Sequence, residues 1–146
     1  MKKNIVLILS DDQGAWAMHC AGNEDLITPN LDRLAKMGAR FTNFFCASPV
    51  CSPARASIMT GEMPSSHGVL DWLSGGNMNT KDYPYMKDHE HFQTEDQAID
   101  YLEGHDTYVK HLSQAGYHCA LSGKWHLGDS VHPKEGFEKW YTIGTG

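Results

Sequence analysis

Five consecutive apolar residues, Ile5-Val6-Leu7-Ile8-Leu9, stand between Lys2-Lys3-Asn4 and Ser10-Asp11-Asp12. The run is rich in β-branched residues and does not alternate. That pattern suits a strand covered on both faces, as in a parallel sheet. The segments that follow are consistent with it. Thr28-Pro29 opens a predicted helix, with Thr28 as N-cap and Pro29 at the first helical position. Leu31, Leu34 and Ala35 give it an apolar face and Gly38 closes it. Ala39 to Phe45 reads as a second strand and Cys46 to Val50 as a loop. Pro53 then sits just inside a helix running through Ile58 and Met59 to Gly61. Residues 62 to 93 predict a long excursion with short elements. Thr94 to Glu103 is acidic and leaves helix open. Thr107 caps a helix carrying Tyr108, Val109 and Leu112 that stops at Gly116, and Tyr117 to Leu121 reads as the next strand. Strand, helix, strand, helix, helix, strand predicts an α/β fold.

The 146 residues suit one domain with a real core. No apolar run approaches the roughly 20 residues that cross a bilayer, so no membrane partner is expected. A net charge of −6 argues against non-specific nucleic-acid binding. Ile5 to Leu9 is too short for the apolar region of a signal peptide, and no small-residue cleavage site follows. The chain as written therefore reads as cytoplasmic; a secreted or periplasmic protein whose leader had been removed would read the same. Cys20, Cys46, Cys51 and Cys119 do not have the spacing of a disulfide framework or a CxxC pair. Cys20, Cys46 and Cys119 are expected to be small buried hydrophobes.

The sharpest chemical signal is Cys51-Ser52-Pro53-Ala54-Arg55. Free amides and the helix dipole favour negative charge where a helix begins, so a nucleophile there meets an anion already partly stabilised. Arg55 follows one turn on and can fold back towards the same spot. The plainer reading is a cysteine before a proline-started helix, with Arg55 solvated. Asp11-Asp12 ends the first apolar run, where open α/β sheets bind ligands, and paired carboxylates suit a hard cation. On the residues alone an Asx turn after a strand is the better explanation of the pair. Lys124 and His126 follow the last predicted strand two residues apart, so an extended segment would turn both to one side. A solvated lysine and a satisfied histidine are the plain alternative.

Taken together, these blocks resemble the type I, formylglycine-dependent sulfatases of the alkaline phosphatase-like superfamily. Cys51 to Gly61 (CSPARASIMTG) resembles the family's first signature and Gly116 to Gly128 (GYHCALSGKWHLG) its second. Asn4 to Gln13 resembles the opening strand with its metal-binding carboxylates. Thr28-Pro29-Asn30-Leu31-Asp32 and Gly136-Phe137-Glu138-Lys139-Trp140 match further family text. The blocks keep the family's order across nearly the whole chain.

The resemblance implies a mostly parallel sheet flanked by helices, with residues 1–146 forming the N-terminal part of a catalytic domain. It implies that a maturation enzyme oxidises Cys51 to a formylglycine whose hydrate attacks a sulfate ester. Asp11, Asp12 and residue 51 would hold Ca²⁺, less often Mg²⁺. Arg55 would steady the hydrate, Lys124 would contact hydrate and sulfate, and His126 would touch the hydrate and act as base when sulfate leaves. The family places further metal ligands, and a histidine and lysine near the leaving group, beyond this length. Two aspartates and residue 51 fall short of the roughly six to eight oxygens Ca²⁺ prefers, so the polypeptide alone is expected to turn over little. His67 is expected to be structural, and His89 and His91 to belong to a solvated loop. His19 lies near Asp12 in sequence, with nothing to fix it at a site. Two rival readings stand beside the sulfatase: a non-catalytic module binding an anion or a partner, and a phosphodiester or phosphonate monoester hydrolase of the same superfamily.

Overall fold

The computed structural model describes residues 2–86, 88–90 and 95–143. They fall into two compact units, Met1–Phe45 and Cys46–Gly146. Among the described residues, no helix is long and apolar enough to cross a membrane.

The first unit holds a 3-10 turn, His19–Ala21, and helix α1, Pro29–Met37. Thr28 occupies the N-cap position at ψ 56°, outside the extended conformation a capping side chain needs, and its hydroxyl accepts no helix amide. Instead it accepts the His19 amide at 2.9 Å and donates to the Asp32 carboxylate at 3.0 Å. The same carboxylate oxygen accepts the Cys20 amide at 2.9 Å, so Asp32 ties the turn to the first turn of α1.

Two expected strands are not formed. Ile5 to Leu9 and Ala39 to Phe45 join no ladder among the described residues. Val6 and Ile8 are each 82% exposed and Phe44 is 85% exposed. An apolar run states which faces a strand could cover, whereas its hydrogen bonds must come from a neighbouring strand.

The second unit has a continuous apolar core of Ala56, Met59, Val69, Leu102, Val109, Trp125 and Leu127. Around it stand α2 (Cys51–Thr60), α3 (Pro64–His67) and α4 (Tyr108–Gln114). A parallel pair, β1 (Cys119–Gly123) and β2 (Phe137–Thr142), completes the α/β layer. Helix α2 buries Ser52, Ala56 and Met59, the one-face spacing of an α-helix. Pro53 costs it nothing, because an amide in the first turn has no carbonyl within the helix to reach. Gly61, at φ 74°, takes the left-handed conformation that ends the helix. Thr107 caps α4, its hydroxyl oxygen accepting the Lys110 amide at 3.3 Å.

Strand β1 begins two residues later than the sequence suggested, because Gly116 at φ 79° and the residues after it complete the turn out of α4. Strand β2 escaped the sequence reading altogether. Its register moves from Cys119↔Phe137 to Ala120↔Lys139, so Glu138 is the extra residue of a bulge. The bulge lets Phe137 and Trp140, three apart, both pack on the core and hides the period-two pattern. Thr94 lies outside the described residues, and the rest of the acidic stretch is not helical. Ala98 bridges Asn77 and Asp100 bridges Gly128, both antiparallel. Gly128, at φ 85°, passes so close to the Ile99 carbonyl that a Cβ there would collide with backbone.

The cysteines also depart from expectation. Cys20 and Cys119 are only partly buried, and Cys46 is exposed. Cys119 sits on a strand that packs one face against the core, and Cys46 stands in the loop before α2, where little covers it.

Candidate active site

Cys51 is the first residue of α2 and is partly buried with a free thiol. Val50 precedes it in an extended conformation, φ −106° and ψ 139°. The chain therefore turns into the helix at the thiol, whose neighbouring amides point out of the helix N-terminus. Arg55 lies one turn on, the spacing that stacks side chains on one helix face. Its Nη1 donates to the Lys124 carbonyl at 2.7 Å. A charge-assisted bond of this kind contributes about 1.5–3 kcal/mol. It fastens the first signature to the backbone of the second.

Lys124 follows β1 directly, at the carboxyl end of the parallel pair. Its segment is held by what it buries: Trp125 is 2% exposed and Leu127 is fully buried. The Trp125 ring packs edge-on to Trp140 at 5.1 Å and to Phe137 at 6.4 Å, so β2 anchors the loop that carries Lys124 and His126. The expectation that these two residues share a side through an extended backbone does not hold. His126 has φ 60°, and a left-handed residue breaks the alternation. Its imidazole is 2% exposed, lies edge-on to Trp72 at 5.5 Å, and places Nε2 2.9 Å from the Leu73 carbonyl. Trp72 and Leu73 carry no motif, and a tryptophan in a polar stretch was the one available signal for them.

Behind the loop, the carboxylates of Asp129 and Glu95 are matched by donors. Asp129 accepts Lys134 Nζ at 2.9 Å and the amides of Val131 and His132 at 3.1 and 3.2 Å. Burial works against its ionisation, but the Lys134 hydrogen bond, those amides and the Lys134 charge outweigh it and hold the carboxyl below the ordinary aspartate value. Glu95, 5% exposed, accepts the amides of Gly76 and Asn77 and the Asn77 side chain.

His67 is structural, as expected. The Val69 amide donates to its Nδ1 at 3.2 Å, so Nε2 carries the proton and donates to Ser57 Oγ at 2.9 Å. A ring that gives its proton to the hydroxyl is not poised to take one from it, so the pair is no nucleophile–base dyad. Burial is the main cause of a lowered His67 pKa. In the unfolded chain the ring takes up its proton near the ordinary histidine value of about 6.5, above its folded pKa. Stability conferred by the neutral ring is therefore complete above the unfolded pKa and falls as pH drops below it. Urea midpoints of the wild type and His67→Gln should show a smaller acid-side slope in the variant. An unchanged slope would remove His67 from that account.

Asp11 and Asp12 belong to the first unit, and both are exposed. Asp12 takes φ 56°, a left-handed position that aspartate tolerates better than most residues. The two carboxylates match the oxygen chemistry of a hard divalent cation. Among the described residues, no group of three or more His, Cys, Asp or Glu side chains could hold a metal. His19 opens the 3-10 turn and is exposed, its amide bound to Thr28. His89 is exposed, and His91 lies outside the described residues.

A parallel strand pair delivering a Lys-Trp-His segment at its carboxyl edge, tied to a cysteine-led helix through the arginine one turn on, defines an α/β protein with its polar site at the sheet edge. The sulfatase family model matches residues 3–146. The chain is 37% identical over 145 residues to steryl-sulfatase of Homo sapiens, an alignment covering 93% of this chain and 21% of that protein. It is 34% identical over 142 residues to human N-acetylgalactosamine-6-sulfatase, covering 94% and 25% of the two chains. The crystal structure of Ps i-CgsB superposes with TM-score 0.75 at 33% identity, over 100% of this chain and 29% of that one. BT4656 in complex with its substrate D-glucosamine-2-N,6-O-disulfate superposes with TM-score 0.62 at 30% identity, over 88% and 20%. The chain belongs to the sulfatase family, and its fold is part of the alkaline phosphatase-like α/β fold. It spans 21% to 25% of the length of these curated relatives.

Proposed function

We propose that this chain contributes the nucleophile and part of the anion site of a sulfuric ester hydrolase. The observation that carries the reading is the Arg55–Lys124 carbonyl bond, which joins the helix led by Cys51 to the Lys124–His126 segment. Residue 51, oxidised to an aldehyde and hydrated, offers two hydroxyls. One attacks sulfur as the bond from sulfur to the alcohol oxygen breaks. The second then gives its proton to His126, the bond from the residue 51 carbon to the sulfate oxygen breaks, and the carbonyl returns as sulfate leaves. A thiol has no equivalent exit, since its sulfur adduct carries no second hydroxyl. Arg55 orients the hydrate, and Lys124 offsets charge on the sulfate oxygens where it develops. Asp11, Asp12 and residue 51 would hold a divalent cation, with Ca²⁺ suited to hard carboxylate oxygens, and the ion would supply charge stabilisation and a lower hydrate pKa.

The test is hydrolysis of a sulfate and a phosphate ester of one alcohol, with Ca²⁺, by matured residues 1–146 joined to the remainder of a sulfatase catalytic domain. Turnover of the sulfate ester that is lost in Cys51→Ala supports the reading. Turnover indifferent to Cys51→Ala overturns it, and a preference for the phosphate ester moves the chain to the phosphoester branch. Residues 1–146 by themselves are expected to turn over little, because two aspartates and residue 51 fall short of roughly six to eight oxygens. Cys51-dependent turnover by this polypeptide alone would contradict that.

A further inference from the structure

The segment from Val69 to Leu73 passes from core to surface beside the site. Val69 belongs to the core cluster and Leu73 packs against it, whereas Leu70 and Trp72 are exposed. Leu73 is fixed at two points. Its amide donates to Ser52 Oγ at 3.2 Å, and its carbonyl lies 2.9 Å from His126 Nε2. Ser52 is fully buried and follows Cys51 in the first turn of α2. Residue 73 therefore stands between the start of the cysteine-led helix and His126. Trp72, one residue earlier, is held as well. Its amide donates to Asp71 Oδ1 at 2.7 Å, and its ring meets the His126 imidazole at 79° with centroids 5.5 Å apart. Although anchored on both sides, Trp72 stays 52% exposed. A large apolar ring kept in water by a well-held backbone is more costly than one folded into the core, and tryptophan is highly buried on average.

We propose that Trp72 is a specificity-determining residue, an indole platform for the organic part of the sulfate ester that selects esters of flat, apolar ring alcohols. The inference rests on the reading of the chain as part of a sulfuric ester hydrolase and adds the class of alcohol. In that reading His126 takes a proton from the hydrate at residue 51, so its imidazole stands against the reacting group. The indole lies one ring further out. The carbon skeleton of the ester begins at the oxygen bonded to sulfur, so its first ring also lies about one ring's width from the reacting atoms. An indole at that distance gains from apolar surface covered and from ring–ring contact. Leu70 adds a second exposed apolar side chain to the same segment. Between them the two side chains offer one N–H donor and no acceptor. A polyhydroxylated ring would give up water there for few hydrogen bonds, whereas an aryl ring has none to lose. Trp72 handles no proton in this scheme and acts on which ester binds.

The test uses residues 1–146 joined to the remainder of a sulfatase catalytic domain, matured and supplied with Ca²⁺. Phenyl and 2-naphthyl sulfate present leaving oxygens of similar basicity and differ by one fused ring. The wild type should prefer the naphthyl ester by about tenfold in kcat/KM, the gain that covering one more ring supplies. Trp72→Ala should bring that ratio close to one, mainly through the KM of the naphthyl ester, and Trp72→Phe should keep part of it. An indole that only supports His126 would instead lower turnover of both esters alike. That result, a wild type without the preference, or a ratio unmoved by Trp72→Ala would each overturn the proposal. Should Trp72→Ala fail to fold, Trp72→Phe decides it, with an expected drop in the ratio of about two- to threefold. A second measurement needs no turnover. The Cys51→Ala protein is titrated with 2-naphthyl sulfate in a calorimeter, and adding Trp72→Ala should raise the Kd about tenfold. The two failures are distinguishable. Turnover indifferent to Cys51→Ala sinks the enzymatic reading while the Kd still judges the platform. Turnover that needs Cys51, with ratio and Kd both unmoved by Trp72→Ala, sinks the platform alone.

Discussion

Expressed together with a formylglycine-generating enzyme, the chain is expected to lose one thiol, that of Cys51, and to keep those of Cys20, Cys46 and Cys119. The four sites separate recognition from plain reactivity. Cys46 is exposed, whereas Cys51 is partly covered. An unselective oxidant follows exposure and thiolate character, so Cys46 would be hit first. Only Cys51 has proline two residues on and arginine four residues on. Peptide masses after alkylation would report each site. The expected product at residue 51 exchanges H₂S for one oxygen, resists alkylation and reacts with a hydrazide. Cys51→Ala should abolish hydrazide labelling completely, a loss limited only by the detection floor. An intact, alkylated Cys51 in a host that holds the enzyme would instead favour the non-catalytic anion-binding module. Oxidation concentrated at Cys46 would show that exposure, and not sequence context, governs these thiols.

The parts of the fold legible in the sequence are those whose cause is local. Pro53 and Gly61 bracket α2 because a proline is tolerated in a first turn and a left-handed glycine ends a helix. Thr107 and Gly116 bracket α4 for similar reasons. What was missed depends on partners. Ile5 to Leu9 has the composition of a buried strand, but a ladder is a property of two strands, and no described neighbour pairs with it. Phe137 to Thr142 is a strand that looks irregular because the bulge at Glu138 shifts its inward positions. The site divides the same way. Cys51, Arg55, Lys124 and His126 stood out in their signatures, whereas Leu73 and Trp72 hold His126 through a backbone carbonyl and a ring edge. A carbonyl acceptor is common to every residue type, so no motif can mark it. The left-handed turn at His126 was equally hidden, since a histidine gives no sign of adopting φ 60°.

Replacing Glu95 by alanine should be among the most damaging changes in the second unit, although Glu95 belongs to no signature. Its carboxylate accepts the Gly76 amide at 2.8 Å, the Asn77 amide at 3.1 Å and the Asn77 side-chain amide at 2.7 Å. Gly76, Asn77 and Glu95 are all buried, so the donors left behind cannot recover a partner from water without opening the loop. Each unsatisfied buried group costs about 1–3 kcal/mol, which places the loss at roughly 3 kcal/mol or more. Against the roughly 5–15 kcal/mol that holds a whole domain together, that is a large fraction. The damage should also travel. The Asn77 carbonyl accepts the Ser130 amide at 3.0 Å, and Asp129 donates its amide to Ile99 at 2.7 Å. The loop clasped by Glu95 thus backs the segment that follows His126. Urea unfolding of Glu95→Ala should show the full loss. Glu95→Gln should show less, because its carbonyl can still accept the two backbone amides while a flipped Asn77 side chain meets its NH₂ group. Hydrogen exchange at Ser130 and Asp129 should rise in the alanine variant before exchange in α4 does, since α4 draws its amide bonds from its own turn and the Thr107 cap. A loss below about 1 kcal/mol, the net worth of one ordinary hydrogen bond, would mean that the clasp is not what holds this loop.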